Sequence, residues 1–243
     1  MKPNSTGLGP LIAFVGCDGA GKTTVSDAIL AWMREQQETR SCHLGIQSRA
    51  LGERLTRLPL VGGVLKRVIA RNTPQNTLPA EVGQGPAKAP SALALVAMFL
   101  LSVRRWRRYQ AMMGLRRQGV AVIADRFPQI AVPRMKIDGP GLSDMPQRNV
   151  LVRCLARCEW LLYAYMVSYR PDIVIRLNVD LETAYRRKPD HRYASLATKI
   201  ALVPQLEYQG SPVIDLDSTQ PLDEVIAQAK RAISARLAAR GEG

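Results

Sequence analysis

Eight consecutive residues, Gly16-Cys17-Asp18-Gly19-Ala20-Gly21-Lys22-Thr23, fit the pattern GxxxxGK[ST], whose residue types serve to hold a polyphosphate. Glycines let successive backbone N–H groups wrap phosphate oxygens, and a helix beginning at the lysine adds positive potential. Lys22 is then placed to bridge β- and γ-phosphates, and the Thr23 hydroxyl to ligate Mg²⁺. Gly16 to Thr23, with Thr24, is therefore the candidate phosphate-binding loop for ATP. A second pair, Asp125-Arg126, closes an apolar run. Asp125 there can help organise Mg²⁺ or its waters, so Thr23 and Asp125 are the candidate metal ligands. Arg126 can hold an acceptor phosphate bidentately. The plainer alternative is a surface ion pair, but strand ends of open α/β sheets border the ligand crevice.

These residues need strands and helices to place them. Residues 11–16 form a continuous apolar run opening on a glycine turn, which reads as a buried strand. Helical spacing follows over 22–37, with Val25, Ala28, Ile29 and Trp32 on the core side. A short strand is expected at 41–46. Residues 92–118 read as one long helix stopped by Gly119, and 120–124 as the next strand. Further on come a helix over 147–169, a strand over 173–179, a short helix and basic bend over 181–192, a helix over 194–202, a strand over 212–216 and a helix over 222–239. Strands alternating with helices imply a mostly parallel five-stranded sheet covered on both faces, a three-layer α/β/α sandwich. No internal repeat or domain boundary is evident, so residues 1–243 are expected to form one domain. The Gly- and Pro-rich stretch 56–91 is expected to be a mobile insertion near the substrate.

The chain has 243 residues, 47% of them hydrophobic, enough for a sizeable core, and a formal net charge of +14. That excess favours anionic partners, although a solubilising surface has the same composition. The four cysteines show no metal-ligand spacing, and Cys154 and Cys158, one helical turn apart, are expected on a buried face. No signal peptide or membrane-length apolar run is present, so a cytoplasmic setting with reduced thiols is expected. The tetrapeptide NKxD is absent, which argues against a GTPase, and the Asp-Arg strand end differs from the acidic pair of motor and transporter ATPases.

With these residues in view, the chain resembles the thymidylate kinases, within the nucleoside monophosphate kinase branch of P-loop proteins. Residues 14–24, FVGCDGAGKTT, are similar to that family's FEGxDGxGKTT, Asp125-Arg126-Phe127 to its DRY, and residues 171–179, PDIVIRLNV, to its PDLxxxLxV strand. The resemblance implies ATP- and Mg²⁺-dependent phosphorylation of a nucleoside monophosphate, dTMP before others. It places Asp18 by the acceptor sugar and Arg126 by the acceptor phosphate. Arg104 or Arg105 would face the acceptor base. Arg186, Arg187 or Arg192, on a basic lid over 186–192, would close over the transferred phosphoryl group. It also implies a homodimer through the helix at 92–118.

The acceptor half departs from this pattern. Leu44-Gly45-Ile46-Gln47-Ser48-Arg49 stands where the family has REPGGT, leaving Arg49 as the candidate for a lost phosphate contact. Leu100 or Leu101 replaces the Phe that would stack on thymine, and Ile130 replaces the Ser after DRY. A kinase of the same fold acting on a sugar or another phosphorylated metabolite is the second reading, with Asp138-Gly139-Pro140-Gly141 in a remodelled acceptor pocket. A third is a non-catalytic nucleotide- or nucleic-acid-binding protein. Against it, Trp106 in the Arg-rich run 104–108, and Tyr109 just after it, fall on a helix, where they are expected to pack inward.

Overall fold

The computed structural model describes residues 7–45, 92–132, 137–142 and 150–241, with backbone alone at 92–94 and 241. The expected insertion at 56–91 and Arg49 lie outside the described residues. Five strands alternate with helices: β1 (Leu11–Gly16), α1 (Lys22–Arg34), β2 (Thr39–His43), α2 (Ala92–Arg117), β3 (Ala121–Asp125), α3 (Val150–Val167), β4 (Ile173–Asn178), α4 (Leu181–Arg187), α5 (Tyr193–Leu202), β5 (Val213–Asp217) and α6 (Leu222–Gly241). All strand pairs are parallel, in the order β2-β3-β1-β4-β5. The expected boundaries shift by a few residues, most at β2, which begins two residues early and ends three early. The second strand is closed by charged and polar residues, where apolar patterning says little.

All six residues of β1 are buried, as a central parallel strand covered on both faces demands. The chain leaves β1 towards β2 and leaves β3 towards β4, in opposite directions along the sheet. Right-handed crossovers therefore put α1 and α3 on opposite faces. α1 packs against α6 on one side and α2 against α3 on the other, giving three layers. One main core joins Phe14, Ile29, Tyr109, Met112, Val174 and Ile233, and Trp106 packs against its edge. Tyr109 and Trp106 thus pack inward, as expected. Cys154 and Cys158 do not: both thiols are exposed on α3. The helix turns Ala156, Glu159 and Tyr163 to the interior instead. Among the described residues, no helix is long and apolar enough to cross a membrane.

At the lower edge of the sheet, Asp172 ties distant parts of the chain together. Its carboxylate accepts from Leu11 N at 2.7 Å and Arg116 Nη2 at 3.1 Å, and pairs with Arg240 Nη1 at 3.1 Å. At the upper edge, β1 and β3 end side by side, Phe14 opposite Asp125, and there the chemistry-bearing residues meet.

Candidate functional site

The loop leaving β1 has the form needed to wrap an anion. Gly16, Gly19 and Gly21 have φ of 144°, 87° and 77°, conformations L-residues rarely adopt. At Gly16 a Cβ would also sit 2.5 Å from Leu177 O, and at Gly19 2.8 Å from Ala184 O. Gly21 starts α1, so the first-turn N–H groups open towards the loop. Lys22, only 7% exposed, donates through Nζ to Cys17 O within the loop. Burial lowers its pKa, Arg126 lowers it further, and Asp18 and Asp125 oppose both. Thr23 and Thr24 are exposed on the loop side of α1. Beside the loop lies a cavity of about 240 Å³ lined by Ala20, Gly21, Thr24, Arg187, Ser218 and Gln220 among others.

Arg126, immediately after β3, is held in the left-handed region at φ 68°. For a residue with a Cβ this costs roughly 1–2 kcal/mol, and it turns the side chain back across the crevice. There Nη2 donates to Asp18 Oδ1 at 2.8 Å, and Nη1 lies 3.6 Å from Asp138 Oδ2. Asp138, then burial in the opposite sense, then Asp18 set its pKa, with the net shift upward. A side chain at Gly45 would collide with Arg126 Cδ at 2.6 Å, so that glycine keeps the path open. Burial pushes the Asp18 carboxyl up, but Lys199 first and then Arg126 outweigh it and hold the group well below the usual carboxylate range.

Asp125 faces His43, whose Nδ1 lies 2.8 Å from Oδ2. Burial raises the Asp125 pKa, and the His43 contact, Lys22 and Arg126 bring it below its ordinary value. The other oxygen, Oδ1, is buried with no hydrogen-bond partner among the described residues. An unpaired carboxylate oxygen beside a phosphate loop suits a hard divalent cation. Among the described residues no group of three or more His, Cys, Asp or Glu side chains could enclose a metal. Thr23 and Asp125 therefore fit an ion shared with phosphate oxygens, as Mg²⁺ usually is, rather than one caged by protein alone.

Two curated Escherichia coli K12 proteins match almost the whole chain. The uncharacterized ATP-binding protein YghS is 36% identical over 227 residues, 93% of each chain. The uncharacterized ATP-binding protein YghR is 37% identical over 224 residues, 92% of this chain and 86% of its own. The chain belongs to the YghS/YghR family. No protein-family model matches it. Among solved structures, thymidylate kinase from Ehrlichia chaffeensis is similar at 13% identity and a TM-score of 0.44, covering 93% of this chain and 98% of its own.

In this YghS/YghR-family site the sequence-predicted residues divide into groups. Asp18, Lys22, Asp125 and Arg126 converge at the upper ends of β1 and β3. Arg187 of the basic bend reaches the loop, donating to Gly19 O at 3.2 Å and Ser218 O at 3.0 Å. Arg186 is exposed, and the Arg192 carbonyl caps α5 by accepting from Ser195 N at 3.0 Å. Arg104 is half-buried on α2, and Leu100 is 59% exposed.

Arg105 is a correction. Instead of facing an acceptor base it is 1% exposed and makes four hydrogen bonds inside the protein. Its Nε donates to Leu44 O, Nη2 to Asp138 Oδ1, and Nη1 to Asp138 O at 2.8 Å and Tyr163 Oη at 2.9 Å. A buried guanidinium must satisfy its donors locally, and these four contacts lock the end of β2 to the 137–142 turn. Burial lowers its pKa, but Tyr163 and Asp138 prevail and raise it. Glu159, buried on α3, fastens the same turn by accepting from Leu142 N at 2.7 Å and Ser102 Oγ at 2.6 Å.

Sequence reasoning named neither His43, Glu159, Tyr163 nor Lys199 as site residues. Their only signal is placement: His43 ends a strand that borders Asp125, while the others are ordinary helix residues. Asp138 carried a usable hint, since it opens a Gly-Pro-Gly turn and itself has φ 58°.

Proposed function

We propose that the chain transfers the γ-phosphoryl group of ATP to a small anionic acceptor, a nucleoside monophosphate, with dTMP the first to test. The observation that carries this reading is the loop itself: a buried lysine resting on a loop carbonyl, three glycines at positive φ, and an unpaired Asp125 oxygen alongside. The relatives' description as ATP-binding proteins supports the donor half. The cavity between Arg187 and Gln220 suits a purine adjoining the phosphates.

In this reading the loop amides and Lys22 orient the β- and γ-phosphates, with Lys22 exchanging the Cys17 carbonyl for phosphate oxygen. Mg²⁺ held by Thr23 and Asp125 would neutralise charge across the two phosphates. Arg126, aimed from its left-handed turn, meets the acceptor's anionic group, and Asp18 accepts from an acceptor hydroxyl. Arg187 covers the loop and limits access of water to the transferring group. Catalysis here is positioning and charge stabilisation, since phosphoryl transfer asks little covalent chemistry of the protein.

The commitment of Arg105 to Asp138 leaves Arg104 as the candidate for base recognition, and what favours the second reading, an acceptor other than a thymine nucleotide, is the leucine at 100 or 101 where a stacking Phe is expected. Calorimetry with Mg-ATP, followed by a coupled ADP-release assay over dTMP, other nucleoside monophosphates and sugar phosphates, separates the two. ADP release with dTMP supports the first, and release only with another acceptor supports the second. ATP binding without turnover on any acceptor would leave a nucleotide-binding protein, and no binding would overturn both kinase readings.

A further inference from the structure

Asp18 draws more cations than one carboxylate needs. Arg126 Nη2 occupies Oδ1 at 2.8 Å, Lys199 Nζ binds Oδ2, and His191 Nε2 lies 3.8 Å from Oδ2. Asp138 offers Arg126 a second carboxylate at 3.6 Å, but its other oxygen is already bound by the buried Arg105. Three basic side chains, Arg105, Arg126 and Lys199, thus share two carboxylates, which leaves a positive charge uncompensated, while His191 has a carboxylate of its own in Asp190 at 3.2 Å. Lys22 and Asp125 offset one another beside this cluster.

The excess charge faces an accessible surface. The side chains of Arg126, Lys199 and His191 are 28%, 22% and 24% exposed. Arg126 and Lys199 approach different oxygens of the same carboxylate, so an anion with several oxygens lying over Asp18 meets both. A phosphate monoester has that shape and charge, and arginine as a fork with lysine as a point charge is a recurrent way to hold one. A strut between α5 and the loop would need one cation for one carboxylate. The arrangement supplies two.

We infer that Lys199 is a specificity-determining residue for the acceptor: with Arg126 it forms an anion subsite, separate from the triphosphate grip of the loop, that takes a phosphate monoester. This rests on the kinase reading above and adds Lys199 to the groups that hold the acceptor's phosphate. Lys199 comes from α5, beyond the basic bend, so acceptor binding also joins α5 to the loop.

The test uses the full chain saturated with Mg²⁺ and the non-hydrolysable ATP analogue AMP-PNP, which fills the loop, and then titrates inorganic phosphate. Lys199→Met should weaken phosphate binding about tenfold, the scale of one hydrogen bond to a charged group, while AMP-PNP affinity stays within about twofold. Lys199→Arg should restore most of the phosphate affinity. Unchanged phosphate affinity in Lys199→Met would make the lysine a strut and overturn the inference. An equal loss of AMP-PNP affinity would move it to the nucleotide side and overturn it too. Wild-type protein that binds AMP-PNP but not phosphate overturns the subsite and leaves the donor reading standing. Failure to bind AMP-PNP overturns the donor reading, and the inference with it.

Discussion

The ATP side of the crevice and the side we propose for an acceptor are built in different ways. On the ATP side the phosphate grip is a run of eight neighbouring residues, and its working groups are largely main-chain. On the proposed acceptor side, Asp18 of the loop apart, the groups are side chains from separate elements: Arg126 follows β3, Asp138 lies in the 137–142 turn and Lys199 on α5, with Arg105 of α2 holding Asp138 in place. Main-chain geometry is specified by glycine placement within a few residues, so it persists through wide sequence change. A side-chain constellation depends on packing over the whole fold, and each member can be reassigned singly. The donor half therefore keeps its pattern, while the acceptor half is free to diverge.

That contrast can be broken or sharpened by substitution. Lys22→Ala should have the largest effect, lowering turnover about a hundred- to a thousandfold, the cost of removing one donor to developing charge, with the thermal melt little changed. Steady-state kinetics on any accepted acceptor, beside a circular dichroism melt, checks this. Arg105→Met should act on stability: it takes the donor from Asp138 Oδ1 and from the Leu44 carbonyl, and breaking a buried pair costs about 3–5 kcal/mol. Chemical denaturation measures it, and a loss confined to acceptor KM would return Arg105 to the role the sequence suggested. Arg126→Ala should raise acceptor KM roughly ten- to a hundredfold, one or two charge-assisted hydrogen bonds, while ATP affinity holds. An equal loss of ATP affinity would dissolve the division into two sides.

Smaller effects should follow from Asp18 and the α3 thiols. The Asp18 carboxyl lies below its ordinary value, so its ion pairs stabilise the fold fully above the unfolded pKa near ~3.9 and are lost as pH falls through the folded value. Asp18→Asn should thus lower the Tm at neutral pH, and the gap from wild type should narrow below about pH 4. A gap independent of pH would show that charge is not the source. Cys154→Ser and Cys158→Ser, at exposed positions, should change stability by less than about 0.5 kcal/mol.

The fold was largely legible because continuous apolar runs such as residues 11–16 and amphipathic spacing in 22–34 are local signals. The donor loop was legible for the same reason. Arg126 could be singled out as the residue ending an apolar strand, but not its left-handed turn, which depends on the Phe14 carbonyl and on room left by Gly45. Arg104 and Arg105 could not be told apart from spacing. Neighbours on a helix differ by about 100° in direction, and only the packing of α2 on α3 shows that Arg105 points inward. Cys154 and Cys158 misled because one-turn spacing marks a common face without saying which way it looks. Lys199 offered nothing to read, being one lysine on a short amphipathic helix.

The junction at Asp172 sets an order of events for the newborn polypeptide. A chain synthesised as far as residue 220 already carries the phosphate loop, Arg126 and Lys199. Yet Asp172 then holds only Leu11 N and Arg116, because Arg240, and Arg236 with its 3.0 Å bond to the Asp172 carbonyl, arrive with the final helix. Until α6 docks, β4 and β5 lack their cover on the side of the sheet where α1 already covers β1 and β3.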